Sequence, residues 1–268
     1  MKDWLYIIKG YIEQINPFVV YLMLFFVGMY VFWRGCTESR KNRSSVFDIF
    51  FISSFLSLIV GRIVYIILEW ESFSSYIWYW LPYEKYGDKV YLFRLLPWRF
   101  LSVWDGGLVI LGIFLSLLLF LTFFVLVTKK WRWKHMFFPI YFSATAMLGV
   151  SFIYTGITSG FYEWIYKGLI LITIFFVFFL LFKFIIRVVK NLSQEKYILG
   201  YLGVLIVLIS SGYIVYLYLS SELSFFEDIL VGIFLIWTLV MSVFFIIDLR
   251  KARVSIESVS NVRSIGTE

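Results

Sequence analysis

Of the 268 residues, 62% are apolar, 23% aromatic and only 15% charged, against about 25% charged in an ordinary soluble domain. A water-soluble fold is excluded, and long apolar runs with only 4 Pro and 17 Gly point to α-helices rather than the alternating strands of an outer-membrane barrel. The net charge is +7 with one His and one Cys, which removes disulfide frameworks and Cys/His zinc centres, so no metal and no cofactor is expected.

The first sixteen residues interleave Trp4, Leu5, Ile7, Ile8, Tyr11 and Ile12 with Lys2, Asp3, Lys9 and Glu13. That pattern predicts a short interfacial helix rather than a span or a signal peptide. About 20 apolar residues cross a hydrocarbon core, and seven such segments follow: Pro17–Trp33, Val46–Leu68, Gly107–Val127, Phe137–Ile157, Ile165–Ile186, Tyr197–Leu219 and Glu227–Ile247. The expected fold is therefore an all-α membrane protein with seven transmembrane helices. Residues 1–250 form one membrane domain, and 251–268 form a polar, mobile tail.

Orientation follows from the basic residues, because cytoplasmic loops retain Lys and Arg. Four clusters occupy alternate loops: Arg34, Arg40, Lys41 and Arg43; Lys129, Lys130, Arg132 and Lys134; Lys183, Arg187, Lys190 and Lys196; and Arg250, Lys251, Arg253 and Arg263. With their neighbouring acids these stretches carry +10, and the rest of the chain −3. The N-terminus is thus expected outside and the C-terminus in the cytoplasm. Topology and anionic headgroups account for the basic balance, and no nucleic-acid partner is expected. Between the second and third spans, residues 69–106 form an external loop holding Trp70, Trp78, Trp80, Trp98 and Trp104. It reads as an aromatic belt on the membrane surface, or as a cover over an entrance from the outer leaflet with Lys85, Lys89, Arg94 and Arg99 available to a phosphate.

Ionisable groups inside spans are costly and mark functional sites or buried pairs. Arg62 is the main one, in SSFLSLIVGRIVYIILEW, where Ser54, Ser57 and Gly61 make a narrow face at helical spacing. A guanidinium stays charged when buried and binds phosphate bidentately, so Arg62 reads either as a lipid-phosphate ligand or as a snorkelling or paired structural arginine. In SVWDGGLVILGIF, Asp105, Gly106 and Gly107 place an acid and a flexible turn at a helix start. In SGFYEWIYKGL, Glu163 and Lys167 stand four apart in the order that favours a helix-end ion pair. Cys36, among cytoplasmic charges, reads as an ordinary thiol, and His135, in WRWKH, as a solvated side chain.

Taken in order, YLMLFFVGMYVFWRGCTESRKNR, LIVGRIVYIILEW, SVWDGGL and GFYEWIYKGLIL resemble the bacterial prolipoprotein diacylglyceryl transferase family. The resemblance implies a multi-pass protein of the bacterial cytoplasmic membrane. Such a protein moves the diacylglyceryl group of phosphatidylglycerol, or another anionic lipid, onto the lipobox cysteine of preprolipoproteins. By resemblance, Tyr21, Asp105, Tyr162 and Glu163 are the catalytic candidates, and Arg62, Arg94, Arg99, Gly106 and Gly107 the candidates for holding the lipid phosphate. Leu111, Met147 and Tyr213 stand where the family carries a histidine and two arginines. These replacements motivate a second expectation, an inactive relative that binds lipid or lipoprotein precursor. The third is an unrelated seven-helix transporter or receptor, although the last span lacks the lysine a retinal protein would need.

Overall fold

The computed structural model describes residues 10–11, 15, 17–37, 42–71, 83–92, 107–188, 195–220 and 225–265. Among these are seven long helices: α1 (Pro17–Thr37), α2 (Arg43–Leu68), α3 (Ile110–Phe123), α4 (Phe137–Ser159), α5 (Tyr162–Val188), α6 (Glu195–Leu219) and α7 (Phe225–Ile265). Six of them are long and apolar enough to cross a membrane. The seventh, α5, has 27 residues, more than the roughly 20 that a bilayer core requires. The chain is a multi-pass, predominantly α-helical membrane protein.

Local chemistry sets the helix ends. Pro17 begins α1 at the position where its missing N–H costs nothing. Asn42 caps α2 by accepting the Ser44 N–H at 3.2 Å, so this helix starts at Arg43, three residues before the predicted span. Gly160, at φ 76, terminates α4 in the left-handed conformation that glycine adopts without penalty. Only Gly160 and Phe161 separate α4 from α5, and α5 starts at Tyr162 rather than Ile165. A π-helical turn, Phe124–Thr128, extends α3. At the other extreme, α7 continues to Ile265, so most of the segment expected to be a mobile tail is helical.

The segment expected to be an external aromatic loop is partly ordered as a hairpin. Strand β1 (Tyr83–Tyr86) pairs antiparallel with β2 (Lys89–Leu92), Tyr86 opposite Lys89. Gly87 and Asp88 form the turn, with Gly87 at φ 58, a conformation that favours glycine at the first central position. Most of the rest of this loop, Trp78, Trp80, Trp98 and Trp104 included, lies outside the described residues, as does most of the proposed interfacial segment 1–16.

Helix α4 is the hub, packing against α1, α3 and α5, while α2 lies on α3 and α6 on α7. Glycine permits the closest crossing. A Cβ at Gly168 of α5 would stand 2.5 Å from the Gly149 carbonyl oxygen and 2.9 Å from the Ile153 nitrogen of α4. Without side chains at these points the two backbones touch directly, the device by which membrane helices gain dispersion energy that lipid cannot supply. Between α4 and α6, the buried Tyr141 hydroxyl bonds both Ser210 and Ser211 hydroxyls at 2.8 Å.

The helix ends that carry the basic clusters meet at one end of the bundle. The Trp133 indole N–H donates to the Met241 carbonyl at 2.9 Å, and the Lys134 N–H to Asp248 Oδ2 at 3.1 Å, tying the α3–α4 connection to α7. There Phe137, tilted, and Phe138, edge-on, pack against Phe245 with centroids 5.3 and 5.0 Å away. Cys36 also lies at this end. Its thiol is buried, with the sulfur 3.8 Å from that of Met136.

Candidate functional site

At the opposite end, the segment leading into α3 runs across α2 and is held at two points. Arg62 Nη1 donates to the Gly107 carbonyl at 2.9 Å. Two residues on, the Val109 N–H donates at 3.3 Å to the carbonyl of Gly61. That second bond satisfies an amide near the N-terminus of α3 that the helix itself leaves unpaired. Gly61 also lets α3 approach, since a Cβ there would collide with Ile113, and Ser116 on α3 reaches back with its hydroxyl 3.5 Å from the Ser57 carbonyl. The small-residue face read from the sequence is thus the α2–α3 contact.

Arg62 is only 6% exposed. Its guanidinium carbon lies 5.3 Å from the Tyr65 ring centroid, within cation–π range. Gly107 has φ 70, and a Cβ on it would come within 2.5 Å of Arg62 Nη1 and 2.6 Å of the Tyr65 ring. Both the backbone conformation and the space therefore require glycine. Gly107→Ala is expected to cost about 2 kcal/mol or more, from left-handed strain plus displacement of the guanidinium. Thermal unfolding in detergent checks this, and a variant as stable as the parent would show that the turn relaxes.

Tyr21 on α1 lies within electrostatic reach of Arg62 and of Tyr154 on α4. It lines a narrow cavity of about 40 Å³ between α1, α2, α3 and α4, whose other walls include Leu58, Ile113, Phe114, Met147 and Ser151. Leu58 stands one helical turn before Arg62 on α2. The cavity walls are almost wholly apolar, which suits hydrocarbon better than a charged group.

Of the residues singled out in the sequence, Arg62 and Gly107 are in direct contact, and Tyr21 lies within electrostatic reach of Arg62 from a third element. Tyr162 and Glu163 do not join them as buried groups: they lie exposed on the first turn of α5. The expected ion pair is not formed either, because Lys167 turns its ammonium over the Trp164 ring, 4.7 Å from the centroid. Asp105, Gly106, Arg94 and Arg99 lie outside the described residues. Met147 lines the cavity opposite Gly28 of α1, Leu111 is buried in the core of α3, and Tyr213 is half-buried on α6. His135 is exposed as expected.

Sequence reasoning missed Tyr154. Its signal was faint, since one tyrosine near the end of an apolar span is ordinarily an interface anchor. Among the described residues no group of three or more His, Cys, Asp or Glu side chains is placed to hold a metal. Comparison with protein-family models, curated proteins and solved structures found no match for the chain.

Proposed function

We propose that the chain is a divergent phosphatidylglycerol–prolipoprotein diacylglyceryl transferase of the bacterial cytoplasmic membrane, with the Arg62 end of the bundle facing outward. The observation that supports this reading is the buried Arg62 held on the Gly107 carbonyl, with Tyr21 within electrostatic reach of it and lining an apolar cavity. In the proposed reaction the lipobox thiol loses its proton, and its sulfur bonds the terminal glyceryl carbon as the carbon–oxygen bond to phosphate breaks. Glycerol phosphate leaves. Arg62 is the fixed cation beside which negative charge gathers on the departing phosphate, in surroundings of low dielectric where such a donor acts strongly. Tyr21, within electrostatic reach of Arg62, forms part of the wall of the cavity that receives part of an acyl chain. The orientation rests on the basic clusters gathered at the other end, which the positive-inside tendency assigns to the cytoplasm.

A second reading, a relative that holds the lipid without transferring it, is favoured by one observation. Met147, at the position of a family arginine, faces the cavity with a thioether in place of a guanidinium. Incubating the purified chain with labelled phosphatidylglycerol and a lipobox peptide separates the two. Transfer of label to the peptide cysteine is the expected result. Retention of the lipid with no transfer above a no-enzyme blank establishes the second reading, and neither retention nor transfer removes both.

A further inference from the structure

A second feature lies at the basic end of the bundle, away from Arg62. Between the last turns of α1 and the first turn of α2 is an open lateral groove of about 480 Å³, within the range of about 300–1,000 Å³ that small-molecule sites occupy. Phe26, Tyr30 and Trp33 form one wall, Phe47 the other, and Arg43 and Ser44 stand at its mouth. The aromatic walls are open to the surroundings: Phe26 is 59%, Tyr30 62% and Phe47 46% exposed. The Arg43 guanidinium carbon lies 6.0 Å from the Trp33 ring centroid, so the cation sits over the polar rim of the groove. From Trp33 to Phe26 is two helical turns, about 10 Å along the axis. A ligand reaching from Arg43 to Phe26 therefore begins at headgroup level and ends well within one leaflet, whose hydrocarbon is about 15 Å deep.

We propose that this groove holds one anionic diacyl phospholipid drawn from the leaflet at the basic end, with its phosphate on Arg43 and an acyl chain laid along Phe26 and Phe47. Charge complementarity selects the occupant. Arg43 at the mouth is a fixed cation, and Arg34 in the last turn of α1 adds a second positive charge at this end of the bundle, which attracts an anionic headgroup and repels the choline of a zwitterionic one. The apolar walls accept hydrocarbon, and the guanidinium donates to phosphate oxygens in the bidentate geometry it favours. The groove is separate from the site beside Arg62, so it stands whether or not that site is catalytic.

The test is native mass spectrometry of the full chain, delipidated in mild detergent and carrying Arg62→Gln to silence the other end. Phosphatidylglycerol or phosphatidylcholine is then titrated in. We expect phosphatidylglycerol to be retained over phosphatidylcholine, Arg43→Gln to reduce that retention by about fivefold, and Arg43→Lys to restore most of it. Equal retention of the two lipids overturns the proposal, as does an Arg43→Gln variant that retains as much as its parent. Circular dichroism matching the parent's helix content shows that a loss of lipid is not a loss of fold. As a further readout, Arg43→Gln in the otherwise unchanged chain leaves any transfer to lipobox peptide at the parent rate.

Discussion

Arg62→Ala is expected, on the proposed transferase reading, to lower the initial rate of labelled diacylglyceryl transfer by about 30-fold or more. Truncating one partner of a buried charge-assisted contact typically costs about 2–5 kcal/mol, and each 1.4 kcal/mol is tenfold in rate. Two losses combine at this position. In the proposed reaction the departing phosphate loses its fixed cation; the Gly107 carbonyl also loses its 2.9 Å donor, so the turn before α3 is released from α2 at the first of its two points of attachment. Arg62→Lys is expected to rescue little, because an ammonium keeps the charge but not the planar fork that spans the carbonyl and a phosphate together. A transfer rate for Arg62→Ala within about threefold of the parent would remove Arg62 from the reaction. If transfer is absent even in the parent, the same substitution is read through phosphatidylglycerol retention at this end, which it should abolish.

Gly168→Val is expected to have the largest effect on assembly. A Cβ at this position meets backbone atoms, the Gly149 oxygen and the Ile153 nitrogen, neither of which can rotate away as a side chain would. Overpacking a tight interior costs about 1–3 kcal/mol and occasionally more, and a branched side chain against two backbones belongs at the upper end of that range. Thermal unfolding in detergent should show a marked loss of stability, whereas Gly212→Ala and Gly232→Ala, with nothing within 4 Å of the added carbon, should be neutral or mildly stabilising. If all three glycine variants behave alike, the α4–α5 contact is not a backbone-to-backbone crossing.

The spans were legible in the sequence because the bilayer imposes one length and one polarity on every segment that crosses it. The starts of α2 and α5 were less so. Asn42 and the Gly160 turn act through local hydrogen bonding and backbone conformation, and both helices extend three residues beyond what hydropathy alone marks. The hairpin at Gly87 and Asp88 does carry a signal, a glycine–aspartate pair between aromatic-rich flanks, but the many rings around it equally suit a surface belt. Arg62 and Gly107 were recognisable one at a time, as a buried cation and a glycine turn. Their contact was not, because 45 residues separate them and no periodicity links a helix to the segment that crosses it. Tyr162 and Glu163 show the opposite case: their place in a motif suggested convergence with the arginine, yet the early start of α5 leaves both on an exposed first turn.

The central position of α4 bears on the order in which the protein is made. Of the six helices recognised as able to cross the bilayer, α4 is the least hydropathic and the most enclosed. Pro139, Ser143, Thr145, Gly149 and Ser151 all face neighbouring helices rather than lipid. Such a segment gains comparatively little from hydrocarbon by itself, and its residence in the membrane depends on company. As the chain emerges from the ribosome, α1 and α3 are already present to receive it on two sides, and the two-residue connection to α5 brings the third partner immediately afterwards. A nascent chain halted before α5 would hold a half-covered, marginally inserted helix, the form in which quality-control proteases would be expected to recognise the protein as unfinished.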